Sequence, residues 1–535
     1  DDISKYFTFD GQTKLKTLLG RVERGQPKVY TAPFAGETPM EQILKEWDAI
    51  LVSISEQWPT LYEFESDLAS KVGPLSVQKP IADRLEDIEH YYEDILLPQK
   101  PIDARAIKAV QSEFASVSGM HLRSLMSTYD NMKKSTSAGC PTMGKRKVYL
   151  KGQIPCKVLP HDKSIIIIVY PHGLDNKNQY YMAAVVGWRG QEGGPSDDDV
   201  KQRVIWMFPC ALNLHELRVY QPLIEACQKK DLVPAWVSMD DVDQHITNLF
   251  DTKDPKDLVV CTDFSKFDQH FNSTMQEAAK AILSSILYKG SDADSWFEEV
   301  FPVKYNIPLC WKTQGSRIYC FSGPHGMASG SGGTNADETL AHRSLQYEAA
   351  ILHGKRLNPH SMCLGDDGIL TYPGITVNDV VEAYQSHGQE CNKLKQYASS
   401  QDCVFLRRWH HKDYRPNGTC AGVYSTNRAL GKLRYLERFM DPEFWSKEMV
   451  AMRQLSILEN CNHHPLFEEF IDFCMKRDKF RLGIDIPGFL DNVDQLAKEA
   501  TDHVQDFLGY TKTMQGVKPE GMSKWRVVQY LKSKR

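Results

Sequence analysis

The sequence predicts an α+β protein built from several domain-sized units. At 535 residues the chain is too long for a single hydrophobic core. Between Asp257 and His411 strand-like apolar runs alternate with helical patterns, whereas after Asp441-Pro442 the pattern is almost entirely helical. A mixed middle part followed by a helical end is typical of an α+β chain whose last unit is a separate helical domain.

Helices are also predicted near the start and along the last part of the chain. Thr38-Pro39-Met40-Glu41 has the residue types that open a helix, with Thr as the N-cap and Pro at the first helical position. A core-facing stripe at helical spacing follows it: Ile43, Leu44, Trp47, Ile50, Leu51 and Trp58. The same spacing predicts three late helices, over Phe444–Leu458, Pro465–Arg477 and Asp491–Leu508.

The composition is that of an ordinary globular protein. A net charge of -5 and a pI near 6.4 do not indicate a nucleic-acid binder, so any RNA-binding surface must come from locally gathered cations. The thirteen cysteines are scattered singly, which favours reduced thiols, and Cys461-Asn462-His463-His464 lacks a second ligand pair for zinc. No apolar run approaches the roughly twenty residues of a membrane span, and the start has no signal-peptide layout. We expect a protein that is neither secreted nor transmembrane.

Two groups of acidic residues follow strand-like runs. Leu258–Cys261 is apolar and predicts a buried strand that delivers Asp263 at its end, with Asp268 five residues later. Further on, Gly365-Asp366-Asp367-Gly368 joins two strand-like runs and predicts a β-hairpin with adjacent acids at its turn. Gly and Asp also form turns for purely structural reasons, so the hairpin alone does not establish a function.

The chemistry of phosphoryl transfer gives these acids a role. Transfer to a 3′-hydroxyl uses two hard cations about 3.5–4 Å apart, and Mg²⁺ prefers oxygen ligands. An acid at a strand end beside an acidic hairpin turn supplies such ligands rigidly. Two other acidic runs are interpreted as solvated loop charge or helix-start acids: Asp197-Asp198-Asp199 sits in a Gly-rich loop, and Asp240-Asp241 shows no strand before it.

A glycine-rich loop lies between the two acidic groups. It runs from Ser322 to Thr334, and a helix is predicted to follow over Asn335–His353, with Gly354 as its stop. Dense glycine before a helix allows the backbone to approach a ligand closely, and helix N-termini favour anions. A merely flexible loop is the structural alternative.

The order of these elements resembles motifs A, B and C of viral RNA-dependent RNA polymerases: Asp263 to Asp268, Ser329-Gly330 to Thr334, and Gly365-Asp366-Asp367. Four further segments resemble motifs G, F, D and E of that family, in that order: Thr136-Ser137-Ala138-Gly139-Cys140-Pro141, Lys201-Gln202-Arg203, Asn392-Lys393-Leu394-Lys395, and Val404-Phe405-Leu406-Arg407-Arg408. The seven span about half of the chain. The sequence is most similar to the polymerases of picobirnaviruses, with those of partitiviruses next.

This resemblance implies a right-hand polymerase with fingers, a palm that has an antiparallel sheet flanked by helices, and a helical thumb. The implied limits are residues 1–78 for an N-terminal extension linking fingers and thumb, 79–256 and 273–320 for the fingers, 257–272 and 321–412 for the palm, 413–515 for the thumb, and 516–535 for a basic C-terminal tail.

The resemblance also implies the catalytic residues. Asp263, Asp366 and Asp367 would bind two Mg²⁺ or Mn²⁺ ions. Lys395 would lie near the pyrophosphate as a candidate general acid; Lys393 is the alternative, and the spacing after Asn392 favours Lys395.

The remaining implied contacts are with the nucleotide and the RNA. Lys201 and Arg203 would neutralise the triphosphate, and Asp268, Ser329 and Thr334 would surround the ribose. Many relatives have an Asn where this chain has Glu338, and Asn335 lies one turn earlier on the same helical face. The implied contacts with the template are Thr136, Ser137, Gly139, Pro141, Lys145, Arg146 and Lys147, of which the basic run could instead be a solvated face.

The tail Gly516–Arg535 mixes cations with aromatic and aliphatic residues. The hydrophobic pattern of Trp525, Val527, Val528, Tyr530 and Leu531 favours a segment docked on the enzyme over a free basic end. A docked tail predicts an internal plug that RNA must displace, and the alternative is an arm that binds the template.

The function implied is an RNA-dependent RNA polymerase of an RNA virus, with RNA template and product and ribonucleoside triphosphates as partners and the viral capsid protein as a further candidate. The expected location is the virion interior or the host cytoplasm. Two alternatives are a reverse transcriptase, which the Ser329-Gly330 to Thr334 element and Gly365 before the acid pair disfavour, and a non-catalytic RNA-packaging protein, which needs no ordered acids.

Overall fold

The structure is a computed structural model that describes residues 3–162, 165–174, 176–313, 315, 317–503 and 521–535. Helices and strands are mixed through its middle, and helices dominate its end, as the sequence predicts. The first part is helical: α1 Phe9–Arg24, α2 Met40–Leu51, α3 Pro59–Ala69, α4 Leu85–Glu93, α5 Ala104–Glu113, α6 Leu125–Asp130 and α7 Arg146–Tyr149.

The middle part contains two sheets beside the central one. Its strands and helices are β1 Lys157–Asp162, β2 Ile165–Leu174, β3 Lys177–Tyr181, β4 Ala184–Gln191, β5 Lys201–Met207, α8 Cys210–Lys230, α9 Pro234–Val237, α10 Met239–Thr252, β6 Val259–Thr262, α11 Ser273–Ile286, α12 Ser291–Glu299, β7 Leu309–Trp311 and β8 Tyr319–Phe321. Strands β1, β2 and β3 form one sheet. A second sheet has the order β5-β4-β7-β8.

The central sheet has the order β11-β6-β10-β9, and all of its strand pairs are antiparallel. The elements of this region are α13 Thr334–Ile351, β9 Met362–Leu364, β10 Asp367–Leu370, α14 Val377–Gln385, β11 Tyr397–Ser399, β12 Asp402–Phe405, β13 Arg408–His411 and β14 Val423–Tyr424. The last three strands form a small sheet in the order β12-β13-β14. The buried residues of α13 pack in the same core as those of α1 and α5.

The C-terminal helical cluster consists of α15 Thr426–Arg434, α16 Lys447–Glu459, α17 Phe467–Lys476, α18 Val493–His503 and α19 Arg526–Ser533. Helix α16 begins three residues later than the sequence predicts, because the side chain of Ser446 caps it by accepting from the N–H of Met449. Similarly, α2 begins at Met40, so Pro39 is the N-cap residue and Thr38 makes no cap. The predicted end of α18 at Leu508 lies outside the described residues.

Two large cores divide the molecule. The large core contains buried residues of α1, α5, α8, α11 and α13 together with β4. The helical core contains residues of α15 to α19, and it also takes in α2 and α3 from the N-terminal part. The chain therefore crosses from the large core in α1 to the helical core in α2 within its first fifty residues.

The described part of the tail, residues 521–535, is docked as expected, but on the helical cluster. Met522, Val527, Val528 and Leu531 are buried in the helical core. The N–H groups of Arg526 and Val527 donate to the carboxylate of Glu459. The apolar side of α19 is occupied by this packing, and the plug and the template-binding arm both stay predictions for the tail. Residues 516–520 lie outside the described residues.

The cysteines differ from the expectation in one place. Cys310 and Cys320 face each other on paired strands β7 and β8 and form a disulfide, whereas the other cysteines are free and buried. The pairing register brings these two side chains together, and their separation of ten positions in the sequence gave no sign of it. No described helix has the length and apolar character that crossing a membrane requires.

A buried carboxylate fastens the N-terminal part to the helical cluster. Glu65 in α3 is fully buried and accepts hydrogen bonds from the N–H of Thr426 at 3.0 Å and from Nε2 of His464 at 3.0 Å, and from the hydroxyl of Ser425. Burial alone would raise the pKa of Glu65, but these donors, His464 first, lower it overall. The stabilisation is therefore present at neutral pH and is lost as the pH falls below the ordinary glutamate value.

We predict that Glu65→Ala destabilises the fold by roughly 3–5 kcal/mol, because it leaves buried donors on α15 and His464 without an acceptor. Thermal unfolding followed by circular dichroism measures this as a lower melting temperature. The matched control is Glu63→Ala, an exposed acid of the same helix, which should melt like the wild type. Equal melting temperatures for both variants would contradict this account of Glu65.

Candidate active site

The two predicted acidic groups meet on the central sheet. Strand β6 ends at Thr262, and its antiparallel register pairs Thr262 with Gly368 of β10. Continuing that register by one residue places Asp263 opposite Asp367. Strands β9 and β10 are joined by the two-residue turn Gly365-Asp366, in which Gly365 has a φ of +57° that favours glycine. The predicted strand and hairpin are both confirmed.

Two side chains of helix α13 hold the hairpin turn by hydrogen bonds to Gly365. The N–H of Gly365 donates to Oγ1 of Thr339 at 2.9 Å, and Nδ1 of the buried His342 donates to the carbonyl of Gly365 at 2.9 Å. A Cβ atom at Gly368 would lie 2.7 Å from Cε1 of His342, so only glycine allows this close approach. The turn acids therefore stand on a rigid support.

The acids at this edge perturb one another. Asp366 is exposed to solvent, yet surrounding protein raises its pKa by desolvation, and the charges of Asp268 and Asp263 raise it further. Burial first, and then the charge of Asp366, raises the pKa of Asp367 to about 7. One partner offsets part of this repulsion, because the N–H of Leu406 donates to Asp367 at 2.7 Å. Cations bound between such like-charged groups would relieve the rest.

The predicted cations of β5 face the same region. Lys201 and Arg203 are two residues apart on the strand, so their side chains share one face, and both are exposed. Nη2 of Arg203 lies 3.2 Å from Oδ2 of Asp268, whose side chain is only 13% exposed. The ion pair links the predicted triphosphate-binding strand to the segment that follows β6.

The glycine-rich loop packs against the backbone of β5. The hydroxyl of Ser329 donates to the carbonyl of Val204 at 3.4 Å, and a Cβ at Gly330 would lie 1.6 Å from the carbonyl oxygen of Trp206. Thr334 begins α13, one residue before the predicted start, and its hydroxyl is 3.2 Å from the carbonyl oxygens of Ala328 and Ser331. The loop is therefore shaped by contacts that glycine permits.

The sequence analysis missed the residue that holds this loop. Glu216 of α8 is fully buried, accepts from the N–H of Gly332 at 3.0 Å and binds the hydroxyl of Ser331. Desolvation raises its pKa, while the charge of Lys304 lowers it. More than a hundred residues separate Glu216 from the loop in sequence, so no local pattern could have found it.

The two candidate lysines lie on a short 3-10 helix, Lys393–Lys395, just before β11. Strand β11 pairs with β6, and the side chain of Gln396 bonds both the N–H and the carbonyl of Asp263, at 2.7 and 2.8 Å. Lys395 is therefore adjacent in sequence to Gln396, which hydrogen-bonds the backbone of Asp263. Both lysines are exposed. The structure therefore brings this segment next to Asp263 but does not distinguish Lys393 from Lys395 as the candidate general acid.

The predicted template contacts divide into two kinds. Thr136, Lys145 and Lys147 are exposed and Ser137 is half-buried, whereas Gly139 and Pro141 are buried by the protein. Gly139 approaches the carbonyl of Phe208, and the carbonyl of Pro141 accepts from the N–H of Thr8 at 3.0 Å.

Arg146 also differs from its two basic neighbours. Its guanidinium turns inward to the amide of Asn213 and to the carbonyl of Lys133. Desolvation lowers its pKa. The exposed basic pair at this position is thus Lys145 and Lys147.

Two further groups among the described residues could hold a cation, and neither was expected. Asp231, Asp241 and His245 have ligand atoms within 4.8 Å of one another, and so do Asp240, Asp243 and His463. Asp240 and Asp241 lie in the first turn of α10, as their interpretation as helix-start acids requires.

The sulfur of Cys461 does not join these groups. It is buried and lies 3.9 Å from the carbonyl oxygen of Ser425, and it belongs to neither of these two groups among the described residues.

Comparisons with known proteins agree with one another. The family model described as viral RNA-dependent RNA polymerase matches residues 40–443. A potential RNA-dependent RNA polymerase of human picobirnavirus (strain Human/Thailand/Hy005102/-) is 53% identical over 538 residues, which cover 99% of this chain and 98% of the relative. A crystal structure of the RNA-dependent RNA polymerase of a human picobirnavirus matches with a TM-score of 0.92 at 54% identity, and its insertion-loop deletion mutant matches with 0.91 at 52%. Each structural match covers 99% of this chain and 98% of the other.

Proposed function

The chain belongs to the viral RNA-dependent RNA polymerases, and from this premise we propose that Asp263, Asp366 and Asp367 hold two divalent cations for nucleotide addition. The observation that carries the proposal is the pairing of β6 with β10, which sets the acid at one strand end beside the acids of the hairpin. Carboxylate oxygens are the ligands that Mg²⁺ and Mn²⁺ prefer. The family match and the close relative support polymerase activity and give no support to a reverse transcriptase or a non-catalytic packaging protein.

The fold is the right-hand α+β fold of these polymerases. We propose the domain limits expected from the sequence: residues 79–256 and 273–320 for the fingers, 257–272 and 321–412 for the palm, and 413–515 for the thumb. Residues 1–78 would link fingers and thumb. The placement of α1 in the large core and of α2 and α3 in the helical core supports this link. Residues 521–535 pack with the helices of the proposed thumb.

The cations and the residues around the acids would have separate roles in nucleotide addition. When bound, the two cations would activate the 3′-hydroxyl of the growing strand and stabilise the departing pyrophosphate. Lys201 and Arg203 would bind the triphosphate, since fixed cations lower the cost of charge that develops there. Lys395 would donate a proton to the leaving pyrophosphate.

Recognition of the sugar would fall to the segments on either side of β5. Asp268, Ser329 and Thr334 would surround the ribose. The contact of Ser329 with β5 and the ion pair of Arg203 with Asp268 support a shared pocket for triphosphate and ribose.

The RNA template would enter along Thr136, Ser137, Lys145 and Lys147, which reach the surface. Gly139 and Pro141 are buried and would support this entry by packing beneath it. Arg146 would stabilise it through its hydrogen bond to the side chain of Asn213. A viral polymerase of this kind would act in the virion interior or the host cytoplasm, where the capsid protein is a candidate partner.

We predict that Asp366→Ala lowers nucleotide addition on the order of 10⁴-fold while the protein stays folded, because an exposed turn acid binds cations rather than packing in a core. Extension of a labelled RNA primer with Mg²⁺ or Mn²⁺ measures this, and melting temperature reports the fold. Asp413→Ala, an exposed acid on the β13–β14 connection, is the control and should be active. Wild-type extension by Asp366→Ala would refute the site assignment.

For the template surface, we predict that Lys145→Ala combined with Lys147→Ala weakens RNA binding on all sequences. The slope of log affinity against log salt should flatten by up to about 0.7 for each phosphate of single-stranded RNA that the protein no longer neutralises. Fluorescence anisotropy at several salt concentrations measures the slope. The control is Lys229→Ala with Lys230→Ala, an exposed lysine pair at the end of α8. Equal slopes for the test and control pairs would make Lys145 and Lys147 a solvated face.

A further inference from the structure

Three side chains that can bind a metal meet where α8 ends and α10 begins. Nε2 of His245 lies 2.8 Å from Oδ2 of Asp231 and 3.7 Å from Oδ2 of Asp241. Asp231 directly follows α8, and Asp241 and His245 are four residues apart on one face of α10. Ligand atoms bound to one Zn²⁺ ion at about 2.0–2.2 Å lie roughly 3.5 Å from one another. The two measured distances bracket that separation.

Asp241 brings an oxygen atom that is without a hydrogen bond in this group. Its Oδ2 is buried and accepts no hydrogen bond from any described residue. An oxygen of Asp231 lies within 4.8 Å of it and adds a like charge. A buried carboxylate oxygen without a donor destabilises the fold, and so does repulsion between two carboxylates. A divalent cation would offset both costs, because it bonds the oxygen and neutralises the pair.

His245 is oriented by a partner outside the group, as metal-binding histidines are. Its Nδ1 lies 3.1 Å from Nδ1 of His360, which stands two residues before β9. A bound metal displaces the proton from Nε2, so the proton of neutral His245 is then on Nδ1 and is donated to Nδ1 of His360. This hydrogen bond sets both the tautomer and the ring orientation that a metal requires.

The loop between α8 and α10 is held in place by its own hydrogen bonds. The N–H of Asp241 donates to Oγ of Ser238 at 3.0 Å, and Nε2 of Gln228 donates to the carbonyl of Trp236 at 2.9 Å. The N–H of Asp231 bonds back to the last turn of α8. The ligands are therefore positioned before a metal binds, which lowers the entropic cost of binding it.

The same loop contacts an element of the proposed active site. Nε1 of Trp236 donates to Oδ1 of Asn335 at 2.8 Å, in the first turn of α13 directly after Thr334. His360 precedes β9, the strand that leads into the acidic hairpin. An ion that fixes this loop would therefore stabilise two of the elements that carry the proposed site.

The donor atoms select the class of cation. An imidazole nitrogen with two carboxylates suits Zn²⁺, whereas Mg²⁺ and Ca²⁺ prefer oxygen ligands alone. Mn²⁺ has the lowest affinity among the first-row divalent ions, so it would not displace Zn²⁺ from these ligands. A Zn²⁺ ion here is therefore distinct from the two cations of nucleotide addition.

The neighbouring group of Asp240, Asp243 and His463 lacks an equivalent unused oxygen among the described residues. Oδ1 of the buried Asp243 already accepts from the N–H of Gly422 at 3.1 Å. The same atom also lies 3.7 Å from Nδ1 of His410. Partners from the protein thus already surround the most buried acid of that group.

We propose that Asp231, Asp241 and His245 bind one Zn²⁺ ion, with His360 as the outer hydrogen-bond partner of His245 and water completing the coordination. The ion joins the end of α8 to α10 and fixes the loop that carries Trp236. This site shares no residue with the three acids proposed for catalysis, and its existence does not depend on their role.

The test counts Zn²⁺ bound to the full chain by isothermal titration calorimetry. The parent protein carries Asp263→Asn and Asp366→Asn, which remove the proposed catalytic ligands. We expect one Zn²⁺ per chain, and Co²⁺ in its place should give the visible absorption bands of a four- or five-coordinate ion. Asp241→Asn and His245→Ala should each weaken Zn²⁺ binding by at least about a hundredfold, and His360→Phe by roughly ten- to a hundredfold.

His353→Ala and His463→Ala are the matched controls. His353 is an exposed histidine just after α13, 3.6 Å from Asp379, and His463 belongs to the neighbouring group. Both control variants should bind one Zn²⁺ with the affinity of the parent. Zn²⁺ should also raise the melting temperature of the parent and of both controls, but not that of Asp241→Asn, because only a bound ion stabilises the folded state.

A parent that binds no equivalent of Zn²⁺ overturns the inference. Loss of binding in His463→Ala with parental binding in Asp241→Asn also overturns it, because the ion would then belong to the neighbouring group. Parental affinity in His360→Phe overturns the role of His360. If His245→Ala does not fold, Asp241→Asn decides, since Asn keeps the size and shape of Asp. None of these measurements uses nucleotide addition, so they leave the proposed function to its own test.

Discussion

Mutual repulsion among carboxylates is the constraint around which the middle of this molecule is organised. Five acids converge at one edge of the central sheet: Asp263, Asp268, Glu338, Asp366 and Asp367. Like charges at such distances oppose folding unless cations, protons or fixed donors offset them. Two fixed donors offset part of this repulsion: the guanidinium of Arg203 pairs with Asp268, and the N–H of Leu406 donates to Asp367. The negative charge that these donors do not offset is the charge that the proposed cations would neutralise.

Holding such a cluster requires a rigid support, and the support is made of long-range contacts. Helix α13 carries His342 and Thr339 under the hairpin turn, and Glu216 of α8 shapes the glycine-rich loop that leads into it. A second buried acid, Glu65, plays the corresponding part for the helical cluster. In each case a buried polar group bonds partners from distant parts of the chain, which favours one arrangement of the elements.

The strand ending at Asp263, the acidic hairpin and the helix after the glycine-rich loop could be predicted because each depends on local residue order. The late start of α16 followed from a capping serine that the apolar pattern hides. The ion pair of Arg203 with Asp268, the disulfide of Cys310 with Cys320 and the inward turn of Arg146 could not be predicted. These depend on which strands pair and which faces meet, and tertiary packing alone decides that. The tail was expected to dock, but only the structure revealed that its apolar side belongs to the helical cluster.

The central claim is that the cluster exists to bind two cations together with the nucleotide. Counting bound Mn²⁺ by electron paramagnetic resonance tests it most directly, using the complex of enzyme, RNA primer–template and a non-hydrolysable ribonucleotide. The account predicts two Mn²⁺ ions per wild-type complex, and fewer when Asp263 and Asp366 are both changed to Asn. The same number of ions in the wild-type complex and in the double variant would contradict it.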